Sequence, residues 1–575
     1  MGKSSSKAGN KVPIPQTTPA KAKKKTKKSN KIKEQVAVKN SQIPFENSPI
    51  YDLLQFFEKA PDQWTARYIL ILTAIILRSA VGLGSFSGQG EKPINGDFEA
   101  QRHWMELTIH LPINKWYFYE PLYWGIDYPP LTAFHSYLFG KLGSLINSDW
   151  FRFFTSRGLE SSDLKTYMRY TSLISELVIY VPALLGFISI MGKKLNLSRM
   201  YQIVISTIIL CQPSLILIDH GHFQYNSVML GLFLFSLVDL IKGNYILASI
   251  WFMSSINFKQ MGLYYAPFIF AYLFSKLFTN YYDLGSDRSV KKLVTSFNFK
   301  KLIAIGLAVI ITSIVIISPF IILPNCSRAE TLNVLKQILI RVFPFERGLF
   351  EDKVANFWCT TNLVVKYRDI FSINQLKKIT LLSTLVAILP PCLMISYKNI
   401  FNPKFSISSS SPVKYLSLIY GFAATSWGFF LFSFLVHEKN VLVPLLPSTL
   451  LFIINDKSKI SMIQWINNIA AFSLWPLLKK ENLVLQYVVV ILLSNWLVGG
   501  FNMKLSNNIF FPRINWFWNL VISASYISVA IVHFVDYFYL PPARYPDLWV
   551  ILNTTVSFGC FSLFWLWILY QFYKL

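Results

Sequence analysis

Apolar residues in this chain run on for a helix length at a time instead of alternating with polar ones. About fourteen runs approach the ~18–20 residues with which a helix crosses a bilayer: near 66–84, 170–190, 201–218, 226–241, 245–258, 261–278, 302–323, 379–397, 415–436, 441–455, 461–477, 483–500, 516–535 and 548–571. Continuous apolarity predicts helices, and the lack of a period of two argues against an outer-membrane barrel. The expected fold class is an all-α polytopic membrane protein embedded in the lipid bilayer.

Composition sharpens this. Hydrophobic residues make up 53% of the 575 and charged residues 15%, against roughly 25% charged in a soluble domain. With a mean hydropathy of +0.41, the chain lacks the polar surface of a soluble, disordered, collagen-like or disulfide-stapled protein. The net charge of +26 is concentrated, because residues 1–40 hold twelve Lys and one Glu. That stretch has no apolar face, so residues 1–62 are expected to be a basic, disordered cytosolic tail beside anionic lipid, with no nucleic-acid partner. No cleavable signal peptide is visible, and the first run is expected to act as its own anchor. Cys211, Cys392 and Cys560 fall in apolar runs, whereas Cys326 and Cys359 share one loop and could pair.

A cytosolic tail fixes the side of every loop by parity. The connections 191–200, 279–301 and 398–414 then fall in the cytosol, and each is rich in Lys and Arg, as the positive-inside rule requires. The loops 85–169, 219–225, 324–378, 437–440 and 536–547 fall together on the other side. These hold the segments rich in Asp, His, Glu, Trp and Tyr, so a shared site is expected there, built chiefly by loops 85–169 and 324–378. Within the runs, Arg78 and Glu176 lie at similar depth and are expected to pair structurally.

The chemistry-bearing residues fall in six segments. In 96–104 (GDFEAQRHW), Asp97 and Glu99 precede a helical pattern ending near Pro112, and Arg102 joins Glu99 as a candidate substrate ligand. Trp116, Tyr117, Tyr119 and Trp124 follow, in the manner of an amphipathic helix and turn at the membrane interface. Asp97 suits a base facing a lipid-tethered substrate, although an Asp here also caps helices well, and two close carboxylates can hold a hard cation. Asp127 and Tyr128 come before a proline pair and a second helix over 131–146. The cluster 219–226 (DHGHFQYN) offers Asp219, His220, His222 and Gln224 to a sugar or a pyrophosphate. In 341–359, Arg341, Arg347 and Lys353 are interleaved with aromatics, as suits a phosphate on a hydrophobic chain. His437, Glu438 and Lys439 sit between two runs, where a charged triplet is costly without water or a ligand.

Taken together, the segments 96–108 (GDFEAQRHWMELT), 124–140 (WGIDYPPLTAFHSYLFG), 219–231 (DHGHFQYNSVMLG), 258–267 (FKQMGLYYAP), 341–359 (RVFPFERGLFEDKVANFWC) and 437–447 (HEKNVLVPLLP) resemble the dolichyl-phosphate-glucose-dependent α-1,3-glucosyltransferases of the endoplasmic reticulum. The opening GDFEAQRHWME and the stretch EDKVANFWC look more like the enzyme adding the first glucose than its sister adding the second. The resemblance implies a GT-C fold over 63–575 with a luminal active site. It implies dolichyl-phosphate-glucose as donor and the lipid-linked oligosaccharide Man9GlcNAc2-PP-dolichol as acceptor. It also implies an inverting reaction with Asp97 as catalytic base. One-step inversion needs a base for the acceptor hydroxyl but no acid for a departing phosphate, which calls instead for cations. Arg341, Lys353, His437 and Lys439 are the candidates. No metal or other cofactor is expected, with Glu99 keeping a metal alternative open. A transporter would instead place its polar residues along a midplane path.

Overall fold

The computed structural model describes residues 45, 47–57, 63–93, 95–120, 122–324, 327–344, 353–454, 456–501 and 514–575. Its main body runs from Asn47 to Leu575, and every regular element among the described residues is helical. That body begins before the expected boundary at 62. Ser48 caps the helix Pro49–Gln55 from outside, proline opens its first turn, and Ile50 and Leu54 are buried. The Ser48 hydroxyl donates to the Leu497 carbonyl at 2.5 Å, so this part of the expected tail is ordered. Residues 1–44, with the lysine run, lie outside the described residues.

Seven described helices are long and apolar enough to cross a membrane: Thr65–Gly82, Ser162–Lys194, Phe299–Ile322, Ile373–Phe401, Val413–Phe432, Trp516–Phe538 and Leu548–Lys574. An eighth candidate is the pair Arg199–Leu210 and Pro213–Phe223, bent by 45°. The other six expected spans fold as shorter helices: Asn226–Lys242, Tyr245–Phe258, Ala266–Ser275, Leu442–Leu450, Lys457–Ser473 and Val484–Leu497. Prolines and polar residues interrupt them, which a membrane tolerates where neighbouring helices satisfy the freed backbone groups. Burial sorts the layers. Helix Val413–Phe432 has 78% of its apolar window inside the protein, against 17% for Phe299–Ile322 and Trp516–Phe538. The first is central and the latter two present themselves to lipid.

Two opposite charges inside the helical body pair with each other. Arg78 donates from Nε and Nη2 to the two Glu176 oxygens, each at 2.7 Å, and from Nη2 to the Leu210 carbonyl at 2.9 Å. The expected structural pair is therefore present, and His220 joins it, its Nε2 lying 2.6 Å from Glu176 Oε2.

The long connection 85–169 departs from expectation. Its helix Asp97–His110 is buried on nearly every side and does not lie on the surface as an amphipathic helix. Trp116 and Tyr117 are core residues, packed with Phe320 and with Val334, Ile338 and Val342 of helix Arg328–Val342. These rings find a partner in the next large loop, which buries more apolar area than an interfacial position would. The second helix, Pro130–Ile146, matches the expected 131–146.

Candidate active site

Asp97 is the first residue of helix Asp97–His110, and Gly96 caps it without a side-chain bond. The carboxylate is thus free for other work. Glycine is required at 96 because a Cβ there would lie 2.5 Å from the Ser87 backbone. This close approach lets the Ser87 hydroxyl accept from the Asp97 backbone N–H at 3.1 Å. Three groups from distant segments converge on Asp97 Oδ2: Lys439 Nζ at 2.5 Å, Gln224 Nε2 at 2.6 Å and His222 Nε2 at 2.9 Å. Among the described residues none donates to Oδ1. The side chain remains 20% exposed. Burial pushes this carboxyl upward, but the Lys439 ammonium and the His222 contact override it and hold the group well below the usual carboxylate range. Lys439 responds in kind. Burial lowers its amine, yet Asp97 and the neighbouring Glu438 raise it above the ordinary lysine value.

A second set of bonds holds these donors. His222 is gripped from behind by Glu481, whose oxygens lie 2.6 and 2.8 Å from Nδ1. With carboxylates facing both ring nitrogens, an imidazolium satisfies both. The ring reaches this position because residues 217–223 form a π-helical turn, widened enough to send neighbouring side chains in different directions. Asp219 is wholly buried and receives Asn226 Nδ2 at 2.8 Å and the Ser227 N–H at 2.7 Å. Lys259 donates to Asn226 Oδ1 at 2.6 Å and to Gln224 Oε1 at 2.8 Å. The latter bond fixes the Gln224 amide so that its NH₂ faces Asp97. Burial draws the Lys259 amine down to about 7, against the opposing pull of Asp219.

Asp97 lies in the wall of a cavity of about 660 Å³. Asp127, Tyr128, Trp104, Arg341 and His437 line it as well. Helix Ile373–Phe401 contributes Leu381, Leu385 and Ile388, together with Lys377, Thr380 and Thr384. The lining therefore combines acids, cations and aromatic rings with hydrocarbon. Such a space suits a sugar phosphate on a lipid chain.

Comparison with known sequences agrees with this chemistry. The sequence profile of the ALG6, ALG8 glycosyltransferase family matches residues 74–567. The chain belongs to that family. The dolichyl pyrophosphate Man9GlcNAc2 alpha-1,3-glucosyltransferase of Saccharomyces cerevisiae is 46% identical, with 93% of this chain and 96% of that one covered. A protein of Schizosaccharomyces pombe described as probably having the same activity is 42% identical over 91% of this chain and 95% of its own. The Gallus gallus enzyme of the same name is 35% identical over 86% and 94%. The chain is a multi-pass membrane glycosyltransferase.

Within this ALG6, ALG8 family member the expected site residues sort into three groups. Asp97, Asp127, Tyr128, Gln224, Arg341, His437 and Lys439 line the cavity, and His222 touches Asp97 from behind. Asp219, Glu438 and His220 act at one remove or not at all. Asp219 anchors the network under Gln224, Glu438 sits beside Lys439, and His220 faces Glu176. Glu99, Arg102 and Lys353 do not line the cavity. Arg102 is fully buried, donating to both Glu99 oxygens and to Glu106 Oε2 at 2.7 Å each. Tyr123 adds a bond to Glu99 at 3.0 Å. The i, i+3 and i, i+4 spacing on one helix face turns these groups toward each other, so Glu99 is not turned to share a cation with Asp97. Lys353 pairs with Asp547 at the surface. Arg347 and Cys326 lie outside the described residues. Lys259 and Glu481 were not anticipated. The same parity that gathers the other loops puts both on Asp97's side; the available signals were a lone lysine between two apolar runs at Lys259 and a short charged link, Lys479–Glu481, at the other.

Proposed function

We propose that this protein transfers glucose from dolichyl-phosphate-glucose to the terminal mannose of Man9GlcNAc2-PP-dolichol, making an α-1,3 linkage by one-step inversion. The names of its relatives and the length of the matches support that choice of acceptor. The observation that carries the chemistry is Asp97, a carboxylate with three donors on Oδ2, none on Oδ1 among the described residues, and a place in the wall of a cavity lined by charged, aromatic and aliphatic side chains.

In the proposed step Asp97 Oδ1 accepts the proton of the mannose 3-hydroxyl. The hydroxyl oxygen bonds to the anomeric carbon from the face opposite the phosphate. The glycosidic carbon–oxygen bond breaks as this one forms, and its electron pair leaves on dolichyl phosphate. A β-linked donor thereby gives an α-linked product. A carboxyl held below its ordinary value is a weak base for a free alcohol. The attacking hydroxyl, however, becomes strongly acidic as its oxygen bonds to carbon, so a late proton transfer is within Asp97's reach. The leaving phosphate needs charge, not a proton, and Lys439, Lys259, Arg341 and His437 supply it from the cavity wall. The reaction on this reading is metal-independent. Lys439 has a double part, since a phosphate that draws it from Asp97 makes the base stronger at the moment it is needed.

The fold we propose is GT-C, with about fourteen crossings made by the seven long helices, the bent pair and the six shorter helices. The site opens on the luminal side of the endoplasmic reticulum, as the basic cytosolic loops require. Purified protein supplied with labelled donor tests the reading. Glucose is expected on the unglucosylated acceptor and not on the monoglucosylated one. Preference for the monoglucosylated acceptor assigns the second transfer instead, and transfer to neither refutes the proposal.

A further inference from the structure

Away from Asp97 the described residues enclose a second cavity, of about 300 Å³, between the end of helix Thr65–Gly82 and the start of Ser162–Lys194. Arg78, Lys165, Arg169 and His220 line it, and no carboxylate does. Arg78 and His220 are neutralised by Glu176. The other two cations form no direct ion pair among the described residues, although Glu481 lies near enough to Arg169 to favour its charge. Lys165 Nζ donates to the Leu83 carbonyl at 3.0 Å. Arg169 uses only Nη2, to the carbonyls of Ser85 at 2.9 Å and Gly221 at 2.7 Å. Its Nε and Nη1 are buried without any acceptor. Leaving charged donors buried and unsatisfied is costly, and an anion is the chemistry that removes the cost.

The surroundings say where the anion comes from. Leu72, Ile76, Ser79 and Leu83 follow one another at helical spacing on one face of the first helix, and Ser79 and Leu83 reach the cavity. Tyr170, Ile174 and Val178 do the same on the second helix, with Tyr170 in the lining. The large apolar side chains of both stripes are exposed. Within a membrane protein an exposed apolar stripe lies against hydrocarbon chains. A cationic pocket at its end is placed for the headgroup of those same molecules.

We propose that this pocket binds the phosphate of a membrane amphiphile, with Lys165 Nζ and the Arg169 guanidinium supplying the positive charge and its chains lying along the two stripes. The site is separate from the donor cavity but not isolated from it. Arg169 holds the carbonyl of Gly221, the residue before His222, and Ser87 N–H donates to the His222 carbonyl at 3.0 Å. A bound phosphate fixes Arg169 and so braces the turn that carries His222.

The full-length protein in nanodiscs, with spin-labelled phosphatidic acid and spin-labelled phosphatidylcholine as probes, tests this. The wild type is expected to hold phosphatidic acid about fivefold or more in preference, the increment of roughly one cation near a lipid phosphate. Lys165→Ala is expected to weaken that preference and Lys165→Glu to abolish it. Lys165 makes a single backbone bond, and an unshifted melting temperature confirms that both variants fold. Displacement of the probe by a polyprenyl pyrophosphate assigns the isoprenoid carriers as occupants, and displacement by phosphatidylinositol alone assigns bulk phospholipid; either supports a lipid phosphate. No preference in the wild type, an unchanged preference in Lys165→Glu, or displacement by millimolar inorganic phosphate overturns it.

Discussion

Asp97, His222, Gln224 and Lys439 come from three segments far apart in sequence and end within 3 Å of one oxygen. His222, Gln224 and Lys439 were visible in the sequence for one reason: a charged or hydrogen-bonding side chain between two apolar runs is costly unless it has a task. Lys259 is of this kind too, yet it stands alone beside Phe258, and nothing local says that its amine fastens Gln224. Its titration gives a test. The folded value, drawn down to about 7 by burial, lies below the ordinary 10.5 of lysine. Protonation therefore opposes folding, most strongly below about pH 7, and that cost fades as pH climbs toward the unfolded value. The charge near the departing phosphate is likewise lost as pH rises through about 7, so the change that relieves the fold weakens catalysis. We expect kcat/KM for the donor to decline as pH rises through about 7, with this limb absent in Lys259→Gln, measured as initial rates across a pH series. Glu99 shows the limit of residue-by-residue reading. Its nearness to Asp97 suggested a shared task, but residues two apart on a helix point to nearly opposite sides, and Arg102 claims Glu99.

Helices were legible as such because bilayer-length apolar runs have few alternatives. Their lengths were less so. Hydropathy counts an apolar residue alike whether it meets lipid or protein, so the run 441–455 gave no sign that its α-helix stops at Leu450 and is wholly buried. The same blindness set Trp116 and Tyr117 at the interface, when helix Arg328–Val342 was waiting to cover them. Packing at this scale turns on small residues. A Cβ on Gly421, in helix Val413–Phe432, would lie 1.9 Å from Cζ of Phe268, whose ring is fully buried in helix Ala266–Ser275. The ring has no room to retreat. Gly421→Ala is expected to destabilise the protein by about 1–3 kcal/mol, read as a lower unfolding midpoint in detergent, with the choice of acceptor unchanged in the folded fraction.

Across the whole molecule, the connections 85–169, 219–225, 324–378 and 437–440 all contribute to one cavity, and that cavity holds the acid and the cations. The arrangement asks little of any single element: rigid helices carry the lipid-facing load, while the loops between them supply donors to one carboxylate. The position of that carboxylate was legible from its loop; the grip of Glu481 on His222 was not, because only the folded bundle joins residues 259 positions apart. Everything rests on Asp97 taking the acceptor's proton. The direct measurement is glucosyl transfer from labelled dolichyl-phosphate-glucose to Man9GlcNAc2-PP-dolichol by purified wild type and Asp97→Asn of equal melting temperature. A loss of about 10²- to 10⁴-fold in kcat is predicted for removal of the base; transfer at an undiminished rate by the folded variant would contradict it.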